Sequence, residues 1–272
     1  MIINNNISAL NAYRNTNDVN TRVEKSMEQL SSGIRINRAG DDAAGLAIYE
    51  KMRGQIKGLD MATKNAQNGI SMIQTSEGAL NETHAIIQRM RELAVQSAND
   101  TNTDSDREKL QLEGTQLVEE LNRIAETTEF NTRTLMDGEF EGEGVKFHIG
   151  ANKDQSVELK FNDMKADALG LSDFDIKDGE SANSAIDLVN NALESVSSER
   201  AKLGATQNRL EHTINNLRVS GENLQAAESR IRDADMANEM VKFSKDQIIS
   251  QSGTAMLAQA NTAPQSVLQL LR

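Results

Sequence analysis

The chain has 272 residues with a formal net charge of −12, one proline, two tyrosines and no tryptophan or cysteine. That charge argues against nucleic acid, whose phosphates it would repel, and the missing cysteine excludes a disulfide framework and a thiolate metal site. Scarce aromatic bulk argues for long helices with thin seams over a thick globular core.

The charge is unevenly placed. Residues 137–180 hold twelve acids and five bases, whereas residues 1–45 hold five of each sign and residues 232–272 four of each. Neutral ends can pack on copies of themselves, while an anionic middle suits a solvated outer surface. The first 25 residues lack the apolar core of a signal peptide. No apolar run approaches the roughly 20 residues of a membrane span.

The first helix is predicted from about Ile7 to about Ile34, with Val23, Met27, Leu30 and Ile34 at steps of four, three and four. A linker with two glycines, Gly33 and Gly40, follows, and its Asp41-Asp42 pair suits the cap of the next helix. That helix should run over residues 43–98, with a stripe that includes Met52, Ile56, Ala66, Ile73, Leu80, Ile87 and Met90. Gly54, Gly58, Gly69 and Gly78 weaken it, which predicts close backbone approach or bending at those points.

A turn-rich break at Asn99–Asp104 precedes a helix over 105–128. Ser105 and Glu108 read as its capping box, and Leu110, Leu117, Leu121 and Ile124 as its seam. The period then changes to two. Val145, Phe147 and Ile149, and Val157, Leu159 and Phe161, alternate with polar residues on either side of Gly150-Ala151-Asn152, which predicts a β-hairpin over 145–161. The acidic stretch through Gly179 reads as loop with a short helix.

A helix over 181–231 carries Ile186, Val189, Leu193, Val196, Leu203, Leu210, Ile214, Leu217, Leu224 and Ile231 on one heptad register, with Arg200, Gln207, Gly221 and Glu228 in the gaps. A last helix starts near Asp235. Its stripe comprises Met236, Met240, Phe243, Met256, Ala260, Ala263, Val267 and Leu271, and Pro264 should kink it or restart its final turns. The predicted fold is mainly α: a long antiparallel helical bundle with coiled-coil termini and a small β-hairpin. The terminal helices should pair, but that pair alone balances poorly against the entropy of ordering both ends, so the ends are expected to be disordered in the monomer and to fold when many copies pack together.

Chemistry finds no support. His84, His148 and His212 share no ligand spacing, so no metal site is expected. No carboxylate pair is marked as buried and unequal, as acid–base work requires. Gly33, Gly40 and Gly45 form no phosphate-binding turn. Neither an enzyme nor a cofactor is expected, and the methionines read as packing residues.

Several segments carry a resemblance. Leu30-Ser31-Ser32-Gly33 with Arg35 to Ile48, the opening Ile3-Asn4 and Asn6-Ile7, Gln88 to Gln96, Ala201 to Arg218, and the closing Ala258 to Asn261 and Val267 to Arg272 resemble bacterial flagellin over nearly the whole chain. The departure is an omission: only about twenty residues separate Phe161 from Ser181, so the large variable outer domains of many flagellins are missing.

The resemblance implies an inner tube domain from residues 1–42 and 233–272 and an outer tube domain from 43–232. It implies self-assembly into the extracellular flagellar filament, the propeller for swimming, with inner-tube packing carried by Val23, Met27, Leu30, Ile34, Met236, Met240 and Phe243. It also implies export as an unfolded chain through the flagellar type III apparatus. The implied partners are further copies of the chain, filament cap and junction proteins, and a cytosolic export chaperone on Met256, Leu257, Val267, Leu268 and Leu271. An animal innate immune receptor would meet Arg89, Leu93 and Glu113, residues whose primary work is subunit contact. Neither nucleic acid nor membrane is implied. Two other readings remain. A hook–filament junction protein shares both ends but is present in few copies. A signalling coiled coil would need a membrane anchor or a substitute for one.

Overall fold

The computed structural model describes residues 6–142 and 144–270, with residues 264–270 described by backbone alone. Six helices and four short strands follow one another: α1 Ile7–Ser32, α2 Ala43–Ser97, α3 Asp104–Thr127, β1 Glu129–Phe130, β2 Arg133–Thr134, α4 Glu139–Gly142, β3 Val145–His148, β4 Ser156–Leu159, α5 Gly179–Arg232 and α6 Met236–Leu270. The long predicted helices and the hairpin are therefore present. They belong to two compact units, one of residues 1–54 with 223–272 and one of residues 55–222.

Local chemistry sets the helix ends. Asn6 caps α1 by accepting from the Ala9 amide, and Gly33 closes it in the left-handed region at φ 69°. Asp42 accepts from the Gly45 amide at the start of α2, as its position suggests. The capping box of α3 lies earlier than predicted. Thr103 and Asp106 form it reciprocally, two residues before Ser105 and Glu108, because Thr103 is the N-cap and the helix already begins at Asp104. α6 runs through position 264 as one helix, so the proline neither ends nor restarts it.

The hydrophobic core of residues 55–222 lies along α2 and α5. α2 supplies Ala66, Ile73, Leu80, Ile87, Met90, Leu93 and Ala94, and α5 supplies Ala182, Ala185, Val189, Ala192, Val196, Leu203 and Leu210. In its first half α5 turns small residues inward. Ala182, Ala185 and Ala192 are buried, whereas Ile186 and Leu193 are only partly so. The buried polar position is Glu199 in place of the predicted Arg200; its carboxylate accepts from the Asn162 amide at 3.3 Å and pairs with Lys202 at 3.4 Å.

The acidic stretch after the hairpin is not a solvated loop. Phe161, Met164, Ala166, Leu169, Leu171, Phe174 and Ile176 are all buried, at alternating steps of three and two. Acids at 163, 167, 173, 175 and 178, with Lys165 and Lys177, lie at the positions between, so this strap carries its charge outward and its larger apolar side chains inward. Side chains from helices fix its backbone. Asn122 accepts from the Ala166 amide, the Gln111 amide group donates to the Phe174 carbonyl at 2.9 Å and accepts from the Ile176 amide at 2.7 Å, and Ser97 donates to the Ile176 carbonyl.

A second hairpin, absent from the predictions, joins β1 to β2 through Asn131 and Thr132. Both have positive φ, the geometry of a tight two-residue turn. The predicted hairpin pairs Val145 with Leu159 and Phe147 with Val157. It lies against α2 at two of the four flagged glycines. A Cβ on Gly58 would stand 2.9 Å from the Ala151 Cβ and 3.1 Å from its Cα, and one on Gly69 would meet Phe147 and Leu210 at 3.3 Å. Gly54 and Gly78 face open space.

Gly58→Ala should therefore destabilise the chain by about 1–3 kcal/mol, through overpacking against backbone. Gly78→Ala should stabilise it by about 0.5–1 kcal/mol, through helix propensity alone. Urea midpoints of the two monomeric variants read both, and equal shifts would contradict the packing account. Gln111→Leu should leave two strap backbone groups unpaired and cost about 1–3 kcal/mol. Its signature is faster hydrogen exchange at the Ile176 amide, and unchanged protection there would show that Gln111 does not hold the strap.

Candidate assembly interface

Within the unit of residues 1–54 and 223–272, α1 and α6 run antiparallel along one another through a seam that mixes polar with apolar residues. Ser26 donates to the Glu239 carboxylate at 2.7 Å, Arg22 pairs with Asp246 at 3.5 Å and Ser250 donates to Asn20 at 2.8 Å. Thr16 lies so close to Gly253 that a Cβ there would stand 2.8 Å from its hydroxyl, and Asn6 donates to the Ala260 carbonyl at 2.7 Å. On α6 the residues Glu239, Asp246, Gly253 and Ala260 follow each other at steps of seven, a heptad seam of polar and small residues. Thr16, Val19, Ser26, Glu239 and Asp246 are buried.

Many of the larger apolar side chains are left outside. Ile7, Leu10, Tyr13 and Met27 on α1, and Met236, Met240, Val241, Ile248 and Met256 on α6, are exposed. Of the predicted packing residues, Met27, Met236 and Met240 are about half exposed, and Val23, Leu30, Ile34 and Phe243 are partly buried. None of the seven is a fully buried seam residue. The signal for the real seam, the seven-residue spacing from Glu239 to Ala260, is carried by residues that an apolar-periodicity reading passes over.

The presumed linker is a fixed turn. Ile34 bridges Asp233, the Arg35 amide donates to the Arg232 carbonyl at 2.7 Å, and the Ala234 amide donates to the Gly33 carbonyl at 3.0 Å. The Arg232 guanidinium lies 4.4 Å from the centre of the buried Tyr49 ring. Lys25 holds Asp41 at 2.7 Å, and Arg38 holds Glu28 at 3.0 Å.

The Lys25 hydrogen bond, aided by the Arg38 amide, holds the Asp41 carboxyl below its usual range. Burial works to raise the Glu239 carboxyl, but hydrogen bonds from Lys242 and Ser26 outweigh it and keep it low.

The remaining candidates fall apart in space or outside the described residues. Arg89 is exposed and donates to Glu113 at 2.8 Å and to Glu92 at 2.8 Å. Leu93 does not share that surface. It is fully buried, because the four-residue step turns it about 40° around the helix, from the rim into the core. Met256 is exposed and Leu257 partly buried. The side chains of Val267 and Leu268, and all of Leu271, lie outside the described residues.

A helix pair with a largely polar seam and apolar outer faces, in a chain that also holds a helical unit with its own core, defines a helical self-association protein. Comparison with known proteins gives the family. The model of the bacterial flagellin N-terminal helical region matches residues 3–141, and that of the C-terminal helical region matches residues 186–271. The chain belongs to the bacterial flagellin family. It is 57% identical to a flagellin of Halalkalibacterium halodurans and 52% identical to one of Bacillus subtilis, in each case over the full length of both chains. It is 54% identical, again over both full lengths, to a flagellar filament 33 kDa core protein of Treponema phagedenis. Among solved structures, a flagellin of Bacillus cereus matches with a TM-score of 0.50 and 29% identity, over 57% of this chain and 88% of that one. A putative flagellar hook-associated protein of Vibrio parahaemolyticus shares the fold with a TM-score of 0.59 over 71% of this chain and all of that one, at 12% identity.

The acid response of the pair follows from its carboxylates. A carboxyl whose folded value is lowered contributes stability above its unfolded value and loses that contribution as pH falls through the folded value. Amide protection in α1 and α6 should therefore drop on acidification below the ordinary carboxylate range. Glu239→Gln should make that drop shallower, as read by hydrogen exchange at several pH values. An identical acid profile in the variant would remove Glu239 from the account.

Proposed function

We propose that this chain is the structural subunit of an extracellular flagellar filament and that the exposed apolar faces of α1 and α6 join one copy to the next. Membership of the flagellin family carries the coarser part: the chain is a self-assembling structural protein of the bacterial flagellum and not an enzyme. The single observation that carries the finer part is the inverted arrangement of the terminal pair. Its polar groups are satisfied inside, while Met27, Met236, Met240, Val241, Ile248 and Met256 face out. Such faces bury their area only against another copy, and a heterologous contact repeated without closure generates a helical filament.

On this reading residues 1–42 and 233–272 form the inner tube and residues 43–232 the outer tube. The helix limits support this division, since α2 begins at Ala43 and α5 ends at Arg232, whereas the compact units divide within those helices, at 54/55 and 222/223. Val23, Leu30, Ile34 and Phe243, partly buried within one copy, complete their burial between copies. The chain travels unfolded through the export apparatus. An export chaperone covers Met256 and Leu257 until then, which hides an aggregation-prone stripe. Filament cap and junction proteins meet the same ends. An innate immune receptor would use the exposed Arg89 and Glu113 pair, with Leu93 supporting it from beneath.

Identity favours this reading over a junction protein: relatives named flagellin match at 50% or more across their full length, against 12% for the hook-associated fold neighbour. Met240→Asp places a charge on the outer face without touching the Ser26–Glu239 seam contact. It should abolish filaments in seeded electron-microscopy assays while leaving the far-ultraviolet circular dichroism of the monomer unchanged, and Leu30→Asp should do the same to filaments. Normal filaments from both variants would refute the assignment.

A further inference from the structure

We propose that the exposed methionines of the terminal helices form an oxidation site through which hydroperoxides control addition of free copies of this chain. The inference rests on the assembly reading above and adds a regulation to it. Methionine is distributed unequally. Met72, Met90, Met136 and Met164 are buried in the unit of residues 55–222, at 4% exposure or less, and Met61 is the exposed exception there. Met27, Met236, Met240 and Met256, all on α1 or α6, are 45–65% exposed. The Ser26–Glu239 contact sets Met27, Met236 and Met240 within about one helical turn of the same level of the pair, so three exposed methionines share one stretch of it. The chain has no cysteine, so thioether sulfur is its only sulfur nucleophile.

The chemistry is a two-electron oxygen transfer. A sulfur lone pair attacks the outer oxygen of the hydroperoxide, the S–O bond forms and the O–O bond breaks. The departing oxygen takes up a proton and leaves as water or an alcohol, so sulfur is oxidised by two electrons and the peroxide is reduced by two. The product sulfoxide is a strong acceptor on a surface that must be desolvated when copies join. Burying an unpaired acceptor is unfavourable enough to weaken association by about tenfold or more. A free copy presents these sulfurs to solvent, whereas a copy in contact with its neighbours covers them, so oxidation acts on addition and spares what is already built.

The test uses the purified full chain, hydrogen peroxide and the critical concentration for seeded assembly. Peptide mass mapping should find added oxygen on Met27, Met236, Met240 and Met256 before Met72, Met90, Met136 and Met164. The critical concentration should rise by about tenfold or more. Treatment with methionine sulfoxide reductases A and B plus a dithiol should restore it. The combined variant M27L/M236L/M240L/M256L should assemble and keep its critical concentration after peroxide. Met61→Leu, which removes an exposed methionine elsewhere on α2, should remain as sensitive as the parent chain. An unchanged critical concentration after oxidation of the four sites overturns the proposal, as does full peroxide sensitivity in the combined variant or failure of the reductases to restore assembly. If the untreated chain forms no filaments, the assembly reading fails and this inference falls with it.

Discussion

The structure depends on a polar seam. Ser26, Arg22, Asn20, Thr16 and Asn6 meet Glu239, Asp246, Ser250, Gly253 and Ala260 in order, with Val19 buried among them and Val23, Leu30, Phe243 and Leu257 only partly buried at the intervening positions. Hydrogen bonds across a seam contribute little net stability, yet an unmatched buried carboxylate is costly, so a slip in alignment is penalised more than the correct alignment is rewarded. Such a seam specifies register while holding the pair weakly. The two ends of the chain meet in one alignment, and the apolar faces that would have glued them together remain available.

The unit of residues 55–222 is built on the opposite plan. Its seam is mainly apolar from Ala66 to Ala94 on α2 and from Ala182 to Leu210 on α5, interrupted by buried Ser76, Thr83 and Glu199, and several of its polar groups hold irregular chain in place. Gln111, Asn122, Ser97 and Glu199 bind backbone of the strap between Asn162 and Ile176, which lets a segment without regular structure bury Phe161, Leu171 and Phe174. Glycine has the complementary role at the β3–β4 hairpin. Gly58 and Gly69 stand eleven residues, or about three turns, apart on one face of α2; the hairpin approaches Gly58 more closely than a Cβ permits and meets Gly69 tightly together with Leu210.

What could be read from the residues follows the physics of each element. Helices of more than twenty residues and a strictly alternating hairpin announce themselves through periodicity, and their limits came within a few residues. The strap did not, because its apolar residues recur at alternating steps of three and two, a pattern belonging to neither helix nor strand, and because its acids suggested solvent. Thr132 hid the β1–β2 turn, since a β-branched residue at positive φ is not a turn signal. The apolar stripes of the termini were legible, but their partner was not. Periodicity shows that a face must be covered and is silent on whether the cover belongs to the same copy. Leu93 shows the same limit at the scale of one helical step, because spacing from Arg89 does not tell rim from core.

The two plans explain each other. A unit with a closed core can fold in a single copy, and its exposed acids favour solvent over its own kind. A pair whose polar groups are satisfied within and many of whose apolar groups stand without is incomplete in a single copy, and near-neutral charge leaves it free to approach others. Exchanging the seams would defeat both. Apolar residues between α1 and α6 would close the hairpin on itself and leave charged residues facing the next copy, whose burial costs more than contact returns. The dependence on neighbours is therefore written into which heptad positions are polar: residues 239 and 246 are acids where a self-sufficient coiled coil would carry leucine.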